Sequence, residues 1–227
     1  RSESSERWST SLLRWPVSRL STQVTDAPQL DKSSPVGGPD GRIYFLGQLE
    51  GGNADVYRVE RDGTGLTNLT GSPEGEVDVQ VSPDGSRIAF RRTLENEGFR
   101  RTLWIADADG SGETQVAPGF EHAFAPDWSP DGGSLVFIGI PTGGGPDVYR
   151  ANSDGTGVEN LTETPDRGEF NPDWAPSGDF VAYVASFTDG EGNDAQELFR
   201  MNPDGTGQTQ LTDLDGRVVD IAVAPGG

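Results

Sequence analysis

The chain has 227 residues, and its 32% hydrophobic residues and 32 glycines together give the apolar share of a folded domain, not of a disordered chain. Its 17 basic and 37 acidic residues leave a formal net charge of −20, which repels phosphate backbones and argues against nucleic-acid binding. The absence of cysteine excludes disulfides and thiolate metal sites, a single histidine excludes a His-rich zinc centre, and the apolar runs are too short for a transmembrane segment.

The basic residues are unusual in kind, since Lys32 is the sole lysine and the others are arginines. Two interpretations of this acidic, lysine-poor composition stay open. One is a halophilic protein, whose self-repulsion is screened by salt, and the other is an acidic secreted protein from a GC-rich genome.

Two turn motifs recur along the chain with the same period. The first contains a Pro-Asp-Gly-type turn, and its prolines are 44 to 49 residues apart; its copies are Gly38-Pro39-Asp40-Gly41, Ser82-Pro83-Asp84-Gly85, Ser129-Pro130-Asp131-Gly132, Ala175-Pro176-Ser177-Gly178 and the degraded Ala224-Pro225-Gly226-Gly227. The second is Asp-Gly-Thr/Ser-Gly, beginning at Asp62, Asp109, Asp154 and Asp204. Both suit tight hairpins, because glycine accepts a positive φ and aspartate bonds its own backbone.

Four short β-rich segments surround these turns in each period. In the first period they include 43–46, 56–59 and 68–70, and in the third they are 124–128, 135–138, 148–151 and 160–162. Four strands per period of about 45 residues is the pattern of a propeller blade. Pro126 and Pro172 fall in the innermost strands, whose channel edge has no partner and tolerates proline.

The repeat resembles a known family. The string Pro126-Asp127-Trp128-Ser129-Pro130-Asp131-Gly132, followed by a Val-Phe strand, an Asp-Val-Tyr-Arg strand and Asn-x-Asp-Gly-Thr-Gly, resembles the TolB-type β-propeller repeat over about residues 31–227. The resemblance implies an all-β propeller of four-stranded antiparallel blades. Such repeats occur in periplasmic interaction proteins, in polysaccharide lyases and in the propellers of prolyl-oligopeptidase-type peptidases, so the motif specifies fold more than function.

The repeats divide the chain into four full blades and part of a fifth. The predicted blades are 31–70, 77–117, 123–162, 169–212 and a partial blade at 218–227, whose innermost strand is 218–223. The N-terminal segment 1–30, including Trp8–Leu13, is expected to supply outer strands that close a five-bladed ring. The alternative is part of a six-bladed protein whose last blades are absent.

The loops that differ between repeats predict the binding face. The two repeated turns lie at one end of each blade, so the variable loops lie at the other end. A surface that recognises a specific partner needs loops that differ from repeat to repeat, which favours the end with the variable loops. The candidate binding residues there are Glu76, Phe99, Arg100, Arg101, Phe120, Glu121, His122, Arg167, Glu169 and Arg217, with Glu74 and Asp215 beside them. Arginine and aromatic residues are favoured interface anchors, although each charge also fits a solvated loop.

Two further sites are weaker candidates. His122 beside Glu121 is either an acid–base group or a partner contact. Asp189, Glu191 and Asn193 alternate in a glycine-rich loop as calcium ligands do, but the bidentate acid of a full calcium loop is missing, so a flexible acidic hairpin loop fits as well. Trp128 and Trp174 occupy equal positions in successive inner strands and are expected in the core.

The sequence therefore predicts a non-catalytic propeller, with no cofactor, that binds a protein partner in the periplasm or outside the cell. Two alternatives stay open. One is the propeller of a larger prolyl-oligopeptidase-type peptidase, and the other is a carbohydrate-binding or polysaccharide lyase propeller.

Overall fold

The computed structural model describes residues 24–94, 98–188, 192–213 and 222–223. Every regular element in these ranges is a β-strand. In chain order they are β1 (Leu30–Gly37), β2 (Ile43–Leu49), β3 (Ala54–Val59), β4 (Thr67–Asn68), β5 (Gly75–Val81), β6 (Arg87–Leu94), β7 (Arg100–Asp107), β8 (Thr114–Val116), β9 (Phe120–Trp128), β10 (Ser134–Pro141), β11 (Asp147–Asn152), β12 (Glu159–Asn160), β13 (Gly168–Trp174), β14 (Val181–Thr188), β15 (Asp194–Met201) and β16 (Thr209–Gln210).

These strands form four antiparallel sheets of four consecutive strands each: β1–β4, β5–β8, β9–β12 and β13–β16. We number the sheets as blades 1 to 4. The first strand of each blade is the innermost, and the last is an edge strand of only two or three residues. The predicted all-β architecture of four-stranded blades is confirmed.

The hydrophobic core lies between successive blades. Blade 2 contributes Leu103 and Ile105 to one buried cluster, in which they pack with Trp128 and Phe137 of blade 3. The next cluster joins blade 3 to Trp174 and Tyr183 of blade 4. The side chains of both tryptophans are therefore core residues, as predicted, and neither offers a ring for a ligand to stack on.

The repeated turns use the chemistry that the sequence predicts. The carboxylate of Asp154 accepts hydrogen bonds from the backbone N–H (2.9 Å) and the hydroxyl (2.6 Å) of Thr156. Gly155 has a φ of 83°. In two other copies of this motif the first glycine also lies against the preceding blade, because a Cβ at Gly110 or Gly205 would collide with the carbonyl of Leu69 or Leu161.

Each inner strand contains a bulge that the sequence pattern did not reveal. One residue per strand adopts a left-handed conformation with φ between 48° and 55°, and the pairing register shifts beside it. The four residues are Ser34, Asp78, Ala125 and Asn171. Pro126 and Pro172 directly follow two of them, so the bulge is a second reason why proline is accommodated in these strands.

A repeated hydrogen bond joins adjacent inner strands. The carboxylate of Asp127 accepts from the backbone N–H of Trp174 at 2.7 Å, and Asp173 accepts from that of Val223 at 2.6 Å. Burial, with the adjacent Asp173 carboxylate, raises the pKa of Asp127 to about 6. Val223 therefore stands, relative to blade 4, where Trp174 stands relative to blade 3. The rest of the predicted fifth blade, residues 1–23 and the proposed ring closure lie outside the described residues.

Candidate binding face

Antiparallel pairing places two kinds of connection at opposite ends of the blades. The Pro-Asp-Gly-type turns and the Asp-Gly-Thr/Ser-Gly turns lie at one end, which we call the turn face. The hairpins between the second and third strands, and the connections between blades, lie at the other end, which we call the loop face. The predicted binding residues follow this division, but their surroundings differ sharply.

Phe99 and Arg101 are exposed candidates at nearby positions of blade 2. Phe99 directly precedes β7, has 67% of its surface exposed and has a φ of 61°. Arg101 is exposed as well, with its guanidinium carbon 5.8 Å from the centroid of the Phe124 ring. Its backbone N–H donates to Nδ1 of the half-buried His122 at 3.2 Å, which ties blade 2 to the inner strand of blade 3.

Arg91 lies behind these residues and completes a basic cluster. One of its terminal nitrogens pairs with the Asp78 carboxylate at 2.5 Å, while its Nε is buried with no hydrogen-bond partner in the described part of the chain. Burial lowers the pKa of Arg91, and the nearby charge of Arg101 lowers it further. We call Arg91, Arg101 and His122 the basic cluster. Arg101 is its exposed cation, because the Asp78 carboxylate pairs with Arg91 and Nδ1 of His122 accepts a hydrogen bond.

Arg100 has a structural contact. Its guanidinium donates to the backbone carbonyl of Phe120 at 2.7 Å, so it links blade 2 to blade 3.

Arg91 was not among the residues predicted from the sequence, because it lies on a strand and not in a loop. Arg91 follows the buried Phe90 along β6, and neighbouring strand residues point to opposite faces of a sheet. This alternation was the available signal that Arg91 points away from the face on which Phe90 packs.

Phe120 and Arg167 were predicted as binding residues of this face; the structure places both half-buried against aromatic rings, and their role in binding stays a prediction. The ring of Phe120 packs edge-on against Tyr149, with centroids 4.8 Å apart, over the space above Gly139. The guanidinium of Arg167 lies over the rings of Phe199 at 4.9 Å and Phe187 at 5.3 Å. Both side chains cap the aromatic packing between blades, although Arg167 also lines an open cleft.

Aligned repeats explain why these caps are needed. In blades 3 and 4 the second strand has a small residue, Gly139 or Ala185, at the position where blade 2 has Arg92. Arg92 itself covers its neighbouring ring, with its guanidinium carbon 4.5 Å from the Trp104 centroid. Where the residue at this position is small, a side chain at the beginning of the inner strand (Phe120) or just before it (Arg167) covers the ring instead.

Glu76 and Glu169 were predicted on the exposed surface and are instead buried, with 0% and 1% of their surface accessible. The Glu76 carboxylate accepts hydrogen bonds from Nε of Arg92 at 2.7 Å and from the Thr70 hydroxyl at 3.0 Å. Burial nevertheless raises the pKa of Glu76 to about 7.

The Glu169 carboxylate accepts from the hydroxyls of Thr162 and Thr164. Burial is the main cause that raises its pKa to about 7, and the adjacent Asp147 carboxyl adds to it. The sequence did contain a signal for this role. The Thr70–Glu76 pair before blade 2 recurs as the Thr162–Glu169 pair before blade 4. Between blades 2 and 3, alanine replaces the threonine at position 117 and the glutamate at position 123.

The remaining candidates are less informative. Glu121 is exposed, and the carboxylate of Glu74 accepts from the Ser72 hydroxyl at 2.8 Å. Asn193 is exposed, whereas Arg217, Asp215, Asp189 and Glu191 lie outside the described residues. Within the described ranges, no three acidic or histidine side chains lie close enough together to hold a metal ion, and no helix could span a membrane.

Comparisons with known proteins agree with this architecture. A family model described as the TolB beta propeller domain matches residues 80–225. The uncharacterized peptidase YuxL of Bacillus subtilis is 30% identical over 124 residues, which are 53% of this chain and 19% of that protein. The protein TolB homolog of Chlorobaculum tepidum is 28% identical over 124 residues, which are 54% of this chain and 27% of that protein.

A solved structure shows the same fold. The crystal structure of TolB from Acinetobacter baumannii superposes with a TM-score of 0.58 at 20% identity, covering 86% of this chain and 46% of that one. The chain thus spans well under two thirds of the length of each of these relatives.

Proposed function

The chain belongs to the TolB β-propeller domain family, and on that premise we propose that it is a non-catalytic propeller that binds a protein partner through its loop face. The likeness to TolB proteins supports a site of action in the periplasm or outside the cell. The observation that carries the proposal is the exposed Phe99 ring beside the basic cluster.

This arrangement has the properties of an interface anchor. A large aromatic ring that is 67% exposed on a folded protein loses unfavourable water contact when a partner covers it. The arginine beside it can bind a carboxylate through two parallel hydrogen bonds. A partner that presents acidic side chains around an apolar pocket would complement both groups, and arginine and aromatic residues often dominate the binding energy of an interface.

A second candidate is supported by a different observation. The similarity to the peptidase YuxL, of which the chain covers 19%, favours a propeller that belongs to a larger hydrolase. The full open reading frame separates the two proposals. A downstream domain with a Gly-x-Ser-x-Gly nucleophile motif would favour the peptidase, and its absence would favour the binding propeller.

The binding proposal is tested with matched charge reversals on the two faces. Arg101→Glu changes the loop face, and Arg61→Glu makes the same change at an exposed position of the turn face. After a partner is captured from the source cell and purified, we expect Arg101→Glu to weaken its binding at least about tenfold, or 1.4 kcal/mol, and Arg61→Glu to leave it unchanged.

An apolar pair provides an independent control. Phe99→Ala should weaken binding as well, whereas Leu66→Ala, at a residue 39% exposed after a turn-face motif, should not. Equal losses from the two arginine reversals, or from the two alanine variants, would show that the partner does not recognise the loop face.

A further inference from the structure

A second feature of the loop face is a cleft in blade 4. It has a volume of about 490 Å³, within the range of small-ligand sites, and it lies between the connection 165–168 and the ends of β14 and β15. Arg167 lines it together with Asp166, Ser186, Thr188, Asp194 and Gln196. The cleft is formed by different elements from those that carry the basic cluster.

The Arg167 guanidinium is held in place without using its hydrogen-bond donors. The rings of Phe199 and Phe187 contact the cation, and stacking of this kind restricts its orientation. The backbone N–H of Arg167 donates to the carbonyl of Thr164 at 3.2 Å, whereas its guanidinium N–H groups make no hydrogen bond or ion pair to another described residue. A planar, oriented guanidinium with free donors suits two parallel hydrogen bonds to a carboxylate.

Two carboxylates lie in the same cleft. Asp166 and Asp194 line it, and neither forms an ion pair within the described ranges. Ser186 donates its hydroxyl to the carbonyl of Gly168 at 3.2 Å, which leaves its lone pairs available as acceptors. Among the described residues, the cleft therefore combines one cation and two anions that form no ion pair with several neutral polar groups.

We propose that this cleft binds a peptide segment in which an acidic side chain is adjacent to a basic one. The acidic side chain pairs with Arg167, and the basic side chain pairs with Asp166 or Asp194. A purely anionic ligand is disfavoured because both aspartates repel it, and a sugar is disfavoured because the guanidinium already covers the two rings on which it could stack. This peptide site is additional to the basic cluster and does not depend on it.

The test uses synthetic peptides and the whole 227-residue chain. The probe is acetyl-Gly-Glu-Lys-Gly-amide, and its matched controls replace the glutamate by glutamine or the lysine by methionine. Isothermal titration calorimetry should give a one-to-one complex with a Kd of about 1 mM or tighter for the probe, and binding at least about fivefold weaker for each control peptide.

Protein variants assign the binding to the cleft. Arg167→Lys keeps a cation near the two rings but removes the planar fork, so it should weaken binding of the probe at least about fivefold with the fold intact by circular dichroism. Asp194→Asn should weaken binding of the probe but not of the control peptide that has methionine in place of lysine. Arg101→Lys, in the basic cluster, should change neither.

Each of the following results would overturn the proposal. One is equal binding of the probe and the glutamine control, or no saturation by the probe. The second is undiminished binding to a folded Arg167→Lys variant. The third is tighter binding of digalacturonate than of the probe, which would make the cleft a uronate site instead. Because the probe is a free peptide, none of these results depends on partner capture by the loop face.

Discussion

Replacing Trp174 by alanine should lower the free energy of unfolding by about 3–5 kcal/mol. The indole is 7% exposed and packs in the cluster between blades 3 and 4, so its removal leaves a cavity. Its ring N–H has no hydrogen-bond partner in the described part of the chain, so the expected loss comes from packing. Urea denaturation followed by circular dichroism measures it.

Two variants control for effects other than the cavity. Trp174→Phe retains an aromatic ring and should lose clearly less stability than Trp174→Ala. Phe99→Ala removes an exposed ring and should change stability by less than about 0.5 kcal/mol. If Trp174→Ala lowers the free energy of unfolding by less than about 1 kcal/mol, the description of Trp174 as packed between blades 3 and 4 is wrong.

Stability should fall as the pH rises from 5 to 8. The pKa values of Glu76 and Glu169 are each raised from 4.5 to about 7, chiefly by burial, so the folded state favours their protonated forms. Their contribution is therefore fully present below the unfolded pKa and is lost as the pH passes through about 7. At 1.36 kcal/mol per pKa unit, the loss is on the order of 3 kcal/mol for Glu76, and the loss for Glu169 has the same direction.

Glu169→Gln should remove part of this slope, because glutamine keeps the side-chain shape without ionising. Guanidinium chloride denaturation at several pH values measures the wild type and the variant side by side. On the acid side, turn aspartates such as Asp62 and Asp154 have pKa values lowered by hydrogen bonds from threonine, so their contribution is lost as the pH falls. A profile that rises between pH 5 and 8 would contradict the burial of both glutamates.

The blades were predictable because their signals are local. An Asp-Gly turn needs only its own aspartate and glycine, and residues such as Asp154 and Gly155 form it without help from other blades. The two turn motifs, spaced at one period, then fix where each strand ends. This is why the strands and the two faces follow from sequence alone.

The environment of the loop residues was not predictable in this way. Glu76, Glu169, Phe120 and Arg167 precede or begin inner strands, where a charged or aromatic residue is consistent with an exposed loop. Their burial depends on the small or large residue that the adjacent strand provides, as Gly139 does for Phe120. That information lies in the packing of one blade against the next, and it emerges only when the repeats are compared position by position.

The most direct test of the loop-face account is amide hydrogen exchange of the chain, alone and in complex with its purified partner. We predict slower exchange in the complex at residues 98–101 and 117–122, which carry Phe99, Arg101 and His122. Exchange at the turn-face segments 60–65, 107–112 and 152–157 should stay the same. Protection of those turn-face segments, with none at 98–101 and 117–122, would contradict the account.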